Sequence, residues 1–371
     1  MKILQMHKSL GTGGIEAMVC GLSNALAQTQ DVTVCTIVQP SPDDKFYREL
    51  DPAIRRETIG RTGEGKPFKE MLRIARFIRK GHFDIVQLHG FFYYFVLAIL
   101  LCHRKTCFCY TVHSNALKEN NPWDLRILSF KRFCFRKGWV HPITISPASQ
   151  QSFTELYGCG SRMIPNGVMR PRVAEGISLD EYRMTPGTRV FLHASRISPE
   201  KNQLVLCQAF DSLIREGADV VLVIAGPIHH HDIFDQMKVL FSDRIHYIGT
   251  RSDIPSLLCT ADGMCLASFY EGLPVILLEA MAAGCIPVCT PVGGILDVVR
   301  DGENGILASG TSEEEYVMAM KRYLALPDTA RKEMQSACLR TGEQYDIQAT
   351  GQKYLSYYTE LLAPAGKGCR I

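Results

Sequence analysis

A rhythm that runs through this chain twice limits its fold more than any other feature. Short apolar runs of strand length alternate with longer windows of helical spacing, then the pattern stops and begins again. Residues 3–6 form the first run, and Ile15, Met18, Val19, Leu22 and Leu26 follow at the spacing of one helix face. Residues 32–38 read as the next strand, 68–80 as a basic helix, and 84–88, 106–112 and 143–146 as further strands. Residues 169–187 are weakly patterned and contain Pro, Gly and Glu, as a linker does. Strands then return at 190–194, 219–225, 244–248, 263–267 and 286–289. Helices are expected at 202–215, 253–261 with Asp253 as its N-cap, 312–324 and 345–362. Such alternation predicts an α/β protein with parallel sheets covered on both faces. Two Rossmann-like domains are expected, 1–168 and 188–344, facing each other across a cleft, with ligands at the carboxyl ends of strands.

The segment SFYEGLPVILLEAMAAG, residues 268–284, carries most of the chemistry. It sets Glu271 and Glu279 eight residues apart across the start of a helix. Pro274 suits the first helical turn, where its missing N–H costs nothing. The backbone of Gly272, Leu273 and Val275 would then offer N–H groups to an anion at an uncapped helix end. From Pro274 to Glu279 a helix rises about 7–8 Å, a reach on the scale of a sugar diphosphate. One carboxylate could hold sugar hydroxyls and the other ribose hydroxyls. A bare Glu-x7-Glu is also compatible with a surface helix bearing two solvated glutamates. The Gly-Leu-Pro after Glu271 and the small residues Ala280, Ala282, Ala283 and Gly284 favour the site.

Other positions add to it. Gly11, Gly13 and Gly14 follow the first strand and open a helix, a setting for phosphate or sugar against bare backbone, or for a tight turn. Glu16 stands where the dinucleotide fingerprint needs glycine, which disfavours a nicotinamide oxidoreductase. Arg196 and Lys201, in SRISPEKN, place two cations at a strand's carboxyl end, where they could hold a diphosphate and stabilise it as it leaves. The alternative is a solvated loop with a Glu200–Lys201 surface pair. His89 and His113 each end a strand, and a neutral imidazole there could bind a sugar hydroxyl. His229, His230 and His231 point in different directions on any regular element, so no metal is assigned to them. With no Asp-x-Asp anywhere in the chain, a divalent-metal clamp on a diphosphate is not expected.

Charge and composition set outer bounds. Residues 1–168 carry 22 Lys+Arg against 13 Asp+Glu, whereas the remainder carries 19 against 25. A basic first half suits an anionic partner, such as phospholipid or a polyprenyl-phosphate carrier, or is a scattered basic surface. Residues 123–139 mix aromatics and aliphatics with Arg126, Lys131, Arg132, Arg136 and Lys137. That is the pattern of a basic amphipathic helix on a membrane, or of a helix packed on the sheet with a charged outer face. The most apolar run, residues 91–102, is far below the ~20 residues of a membrane span and reads as buried core. The 14 cysteines include no C-x-x-C pair and read as reduced thiols packed as small hydrophobes. No secretory core follows the start MKILQMHKS, so a cytoplasmic protein is expected, with peripheral contact to the inner face of the membrane as one reading.

Several of these motifs occur together, and in the same order, in one known family. With GTGGIE near the start, IPNGV at residues 164–168, SRISPEKN, the Glu271/Glu279 motif and PVGGILDVVRDGENGIL at 291–307, the chain resembles the family-four retaining glycosyltransferases of the GT-B fold. The resemblance covers nearly the whole length. It implies that Arg196 and Lys201 bind the donor diphosphate, that Glu271 contacts the donor sugar, and that Glu279 contacts the ribose. Gly272, Leu273, Pro274 and Val275 would supply backbone contacts. Gly13 and Gly14 would approach the donor from the first domain, His113 would lie beside the transferred sugar, and the segment 345–371 would cross back to the first domain. Ser114 replaces the Asp that often follows the family's histidine, and Asn202 replaces a frequent Gly.

The expected activity is transfer of a hexose from a UDP- or GDP-linked sugar to a saccharide, lipid-linked as one option, in surface polysaccharide or glycoconjugate synthesis. Neither a metal nor a cofactor beyond the donor is expected, and no nucleic-acid partner. Two other classes stay open, a sugar-nucleotide epimerase of the same fold and a non-catalytic sugar-nucleotide-binding protein.

Overall fold

The structure is a computed structural model that describes residues 1–42, 44–62 and 67–363. The expected last segment, 345–371, therefore lies outside the described residues from 364 onward. The chain divides into two compact units. One comprises Met1–Gly167 and the chain from Ile347 on, and the other is Val168–Asp346.

The first unit holds a seven-stranded sheet: β1 (Lys2–His7), β2 (Asp31–Val38), β3 (Arg55–Arg61), β4 (Ile85–His89), β5 (Cys107–Val112), β6 (Val140–Thr144) and β7 (Arg162–Met163). Its order is β3-β2-β1-β4-β5-β6-β7. Every pairing is parallel. Successive side chains leave a strand on opposite faces, so one strand feeds two cores. Leu4, Met6, Val86, Leu88, Phe108 and Tyr110 enter one cluster with Ile74 and Ile78 of the helix Phe68–Gly81. Ile3, Ile85 and Cys109 enter the other, with Met18, Val19, Leu22 and Leu26 of the helix Gly14–Ala27. Tyr354 and Tyr358 of the last helix, Ile347–Leu362, complete that second cluster. Their hydroxyls meet Thr111 at 3.1 Å and Gln87 at 2.9 Å. Small residues let this helix approach closely: a Cβ on Gly351 would stand 2.9 Å from that of Ala25.

The second unit repeats the plan with β8 (Arg189–Ala194), β9 (Val220–Ala225), β10 (Ile245–Tyr247), β11 (Gly263–Leu266), β12 (Ile286–Cys289) and β13 (Ile306–Leu307), in the order β10-β9-β8-β11-β12-β13. Here too all pairings are parallel. All six residues of β9, VVLVIA, are buried, as expected of a strand covered on both faces. In each sheet the order reverses once, between β1 and β4 and between β8 and β11, and such reversals open a crevice at the carboxyl ends of the strands.

Several elements depart from the sequence reading. β3 was not anticipated, because RRETIGR is an edge strand paired only to β2 and needs no apolar alternation. The helices Pro147–Tyr157 and Asp328–Glu343 were also missed. The run 91–102 forms a 3₁₀ turn, Phe92–Phe95, and a helix, Val96–Cys102, and leaves Leu100 and Leu101 exposed rather than wholly in the core. Residues 123–139 form two helices, Pro122–Arg126 and Leu128–Arg136, with Lys131 turned inward at 1% exposure. Asp253 precedes the helix Ile254–Leu258 but makes no cap, because its carboxylate binds Arg251. The last helix starts at Ile347, two residues later than expected. No helix among the described residues is long and apolar enough to cross a membrane.

Candidate functional site

In the second unit the motif residues gather where the strand order reverses. β8 ends at Ala194, and the chain continues through Ser195 and Arg196 into a 3₁₀ turn, Pro199–Lys201, before the helix Gln203–Arg215. β11 ends at Leu266 and leads through Ser268 and Glu271 to the helix Val275–Ala282. The two loops are joined by backbone, Phe269 N–H donating to the Glu200 carbonyl at 2.9 Å. Lys201 and Glu271 thus arrive from neighbouring strands and meet, Nζ to Oε1, at 2.7 Å. Ser268 Oγ donates to the same oxygen of this buried carboxylate at 2.7 Å. The alternative Glu200–Lys201 surface pair is not among the ion pairs of the described residues, where Lys201 takes Glu271. Glu200 instead takes Arg196, at 2.7 Å. Burial pushes the Glu200 carboxyl up, but the hydrogen bonds from Arg196, its own backbone and Ser198 outweigh this and hold it at about 2.

A third loop backs the motif. Thr290, just past β12, donates its hydroxyl to the Ser268 carbonyl at 2.6 Å. Gly293 and Gly294 then press against the backbone beside Glu271. A Cβ on Gly293, at φ 51°, would lie 2.0 Å from the Glu271 carbonyl oxygen, and one on Gly294 would lie 1.7 Å from that of Gly272. No side chain could stand at either place.

Pro274 is not in the first helical turn. With ψ 120° it is the extended residue before the helix, whose first residue is Val275, and no side chain caps that end. Ile276 and Glu279 are the two positions of this helix that are not buried, three residues apart and so on one face. Arg196, Lys201, Glu271, Gly272, Leu273, Pro274 and Val275 therefore belong to two loops and one helix start at the same end of the second sheet, with Glu279 about a turn further along that helix.

Gly13, Gly14 and His113 belong to the first unit, at the carboxyl ends of β1 and β5. Gly13, at φ 153°, precedes the helix Gly14–Ala27, again without a side-chain cap, and both glycines are exposed. Beside them three histidines form a chain. His7 Nδ1 lies 2.6 Å from the His89 carbonyl oxygen, His89 Nε2 lies 2.8 Å from Gln5 Oε1, and His89 Nδ1 lies 3.0 Å from His113 Nε2. Since Gln5 Oε1 can only accept, His89 Nε2–H donates and its Nδ1 accepts from His113 Nε2–H. His113 Nδ1 is then a lone-pair acceptor, and it is buried with no partner. Burial, followed by the nearby His7, pushes the His113 imidazole down to about 3. Burial and the neighbouring histidines likewise hold His89 far below its ordinary value. Both rings are neutral over the physiological range.

Sequence reasoning missed four supports of the site: Ser268, Gln203, His193 and Glu119. Gln203 Nε2 donates to Ser195 Oγ and the Arg196 carbonyl, at 2.9 and 2.7 Å. His193 spans from the Cys265 carbonyl to Ser195 Oγ, at 2.8 and 2.7 Å. Glu119 binds the backbone of His113. Ser268 opens the motif segment just past β11 and His193 stands near the end of β8, whereas Gln203 and Glu119 carry no local signal. His229, His230 and His231 are exposed, the first two donating backbone N–H to the Ile197 carbonyl at 3.2 Å. Among the described residues no three His, Cys, Asp or Glu are grouped to hold a metal ion.

The chain matches known proteins along most of its length. Residues 12–169 match the family described as Glycosyltransferase Family 4, and residues 180–339 match Glycosyl transferases group 1. The chain is 22% identical over 295 residues to the Escherichia coli UDP-Gal:alpha-D-GlcNAc-diphosphoundecaprenol alpha-1,3-galactosyltransferase, spanning 69% of this chain and 70% of that protein. It is 29% identical over 152 residues to a Campylobacter jejuni N,N'-diacetylbacillosaminyl-diphospho-undecaprenol alpha-1,3-N-acetylgalactosaminyltransferase, covering 41% of this chain and 39% of that one. In fold it resembles Anabaena Alr3699/HepE, solved with UDP and glucose, with a TM-score of 0.78 at 19% identity over 97% of this chain and 100% of the other. Two family matches that together take in most of the chain, on two parallel α/β units, make this protein a member of the family-four glycosyltransferases, with the GT-B fold.

Proposed function

We propose that the protein is a retaining glycosyltransferase that moves a sugar from a nucleotide-diphosphate sugar to a saccharide hydroxyl. The observation that carries this reading is the Lys201–Glu271 pair at 2.7 Å, set at the sheet reversal beside an uncapped helix start. Lys201 and Arg196 are the cations for the diphosphate, the N–H groups at Val275 extend that positive field, and Glu271 and Glu279 accept from hydroxyls. In the reaction the bond from the sugar's anomeric carbon to phosphate oxygen breaks. The acceptor oxygen bonds that carbon on the same face, and its proton passes to the leaving diphosphate. No protein nucleophile is needed, so the residues act by positioning and by stabilising charge on the leaving group. Neutral His113 offers Nδ1 as an acceptor to a donor-sugar hydroxyl. The cations do the work of a metal, since the sequence has no Asp-x-Asp.

A lipid-linked acceptor is favoured by the activities of the Escherichia coli and Campylobacter jejuni relatives. The exposed Leu100, Leu101, Leu125 and Phe133, with basic Arg126 and Arg132 nearby in sequence, suit peripheral contact with anionic lipid. Sedimentation with anionic liposomes tests that contact, and absence of pelleting at low salt counts against it.

The primary test is a melting screen against UDP, GDP, ADP and their common sugars. A ligand at 100 times its Kd stabilises the folded state by about 2.7 kcal/mol, or roughly 5–10 °C for a unit of this size. Lys201→Ala should abolish the shift. If none of these nucleotides raises the melting point, the reading fails.

A further inference from the structure

The first unit contains a buried charged cluster that the proposed reaction does not use. Glu119 lies in the turn that follows β5, and its carboxylate is fully committed. Oε2 accepts the backbone N–H of His113 at 2.7 Å and that of Ser114 at 3.3 Å, while Oε1 accepts the Tyr110 hydroxyl at 2.7 Å. Lys131, 1% exposed, faces the same small void as Glu119, Tyr110 and Tyr157. Its Nζ donates to Asn120 Oδ1 at 2.7 Å and stands 4.8 to 5.7 Å from the ring centroids of Phe92, Tyr110 and Tyr157. Asp124, fully buried, adds a second carboxylate that takes the Tyr93 N–H at 2.9 Å.

Burying an ammonium among aromatic rings is a costly way to hold a turn, and apolar packing of the same volume would ordinarily be at least as stable. What the ionic arrangement adds is direction. One carboxylate oxygen takes both N–H groups at the point where the backbone leaves β5, and so sets the angle at which the His113 ring departs. That ring must lie in line with His89 to keep the 3.0 Å bond that leaves Nδ1 as the free acceptor.

We propose that Glu119 is a positioning residue for His113, with caged Lys131 as its charge partner, so that His113 Nδ1 is held as an acceptor toward the donor sugar. The last clause rests on the function proposed above; the positioning itself does not.

The experiment pairs histidine ring NMR with donor turnover on the full chain. His113→Gln assigns the His113 ring signals. In the wild type they should show the tautomer protonated at Nε2. Glu119→Ala should shift them, and should lower kcat for turnover of UDP-glucose, or of the UDP- or GDP-sugar giving the largest melting shift, by about tenfold to a hundredfold, with KM changed less than threefold. Glu119→Gln keeps a carbonyl acceptor for the two N–H groups and leaves Lys131 opposite the buried Asp124, so it should keep the ring signals and most of the rate. If Glu119→Ala does not fold, Glu119→Asp, which withdraws the carboxylate by one methylene, should move the same signals. Unchanged His113 signals in the folded Glu119→Ala variant, or a loss of rate in Glu119→Gln as large as in Glu119→Ala, would overturn the proposal. A wild type with the stated tautomer but no turnover of any donor would refute the proposed function and leave the NMR comparison to decide the positioning.

Discussion

The tightest constraint on the Glu271 loop comes from a residue with no side chain, which makes Gly294→Ala the sharpest perturbation available. A Cβ there would lie 1.7 Å from the Gly272 carbonyl oxygen and 2.8 Å from its carbon. Because real Cβ atoms keep at least 3.0 Å, the two loops must part by about 1.3 Å. The obstacle is backbone, which cannot swing aside as a long side chain would. Gly272 follows Glu271 directly, so the displacement passes to the carboxylate and to the start of the helix Val275–Ala282. A misplacement of about 1 Å can cost on the order of a hundredfold in rate, about 2.7 kcal/mol of transition-state stabilisation. Overpacking should cost a further 1–3 kcal/mol of stability, roughly 2–10 °C in melting. The assay is donor turnover in the absence of acceptor, with the melting point measured in parallel. Gly160→Ala is the control, since nothing lies within 4 Å of its Cβ position and its φ is ordinary. A folded Gly294→Ala protein turning over donor within threefold of wild type would refute the idea that this contact sets the site.

Two further outcomes concern stability. Burial, opposed by the Cys265 carbonyl and helped by Lys201, pushes His193 down to about 4, and burial pushes His113 to about 3, both from an ordinary 6.5. Between those values and 6.5 the unfolded chain binds protons that the folded one does not, so stability must fall as pH drops through this window; at pH 5 the loss is about 2 kcal/mol for each histidine. Urea midpoints at pH 7 and pH 5 read it directly, and equal midpoints would contradict it. At the end of the helix Phe68–Gly81, exposed His82 sits at φ 50°, a left-handed conformation that glycine adopts more readily. His82→Gly should stabilise the protein by about 0.5–1 kcal/mol in a urea melt, and destabilisation would show that its ring makes an overriding contact.

Those parts of the fold and site that depend on neighbours in sequence were legible from the sequence. β9 is apolar throughout because both its faces are covered, and any reader of VVLVIA would place it in a sheet. The Glu271 loop was legible because Gly-Leu-Pro and the small residues after Glu279 are local signals. β3 was not, since an edge strand can be half charged and still pair. Lys131 was read with the outward basic residues of its helix. Its burial depends on Asn120 and on three aromatic rings drawn from three separate elements, and no periodicity reveals them. Gln203 and Glu119 were silent for the same reason: each matters through a partner that only the fold brings within reach.

The first unit takes its final helix from the far end of the chain, and this has a consequence during synthesis. Until the ribosome has released Ile347–Leu362, the groove that receives Tyr354 and Tyr358 is bare, whereas the second unit, continuous from Val168 to Asp346, has every residue it requires sooner. The half that begins first must therefore finish last. A released chain truncated after Asp346 should carry a protease-resistant second unit alongside a first that is still readily cut.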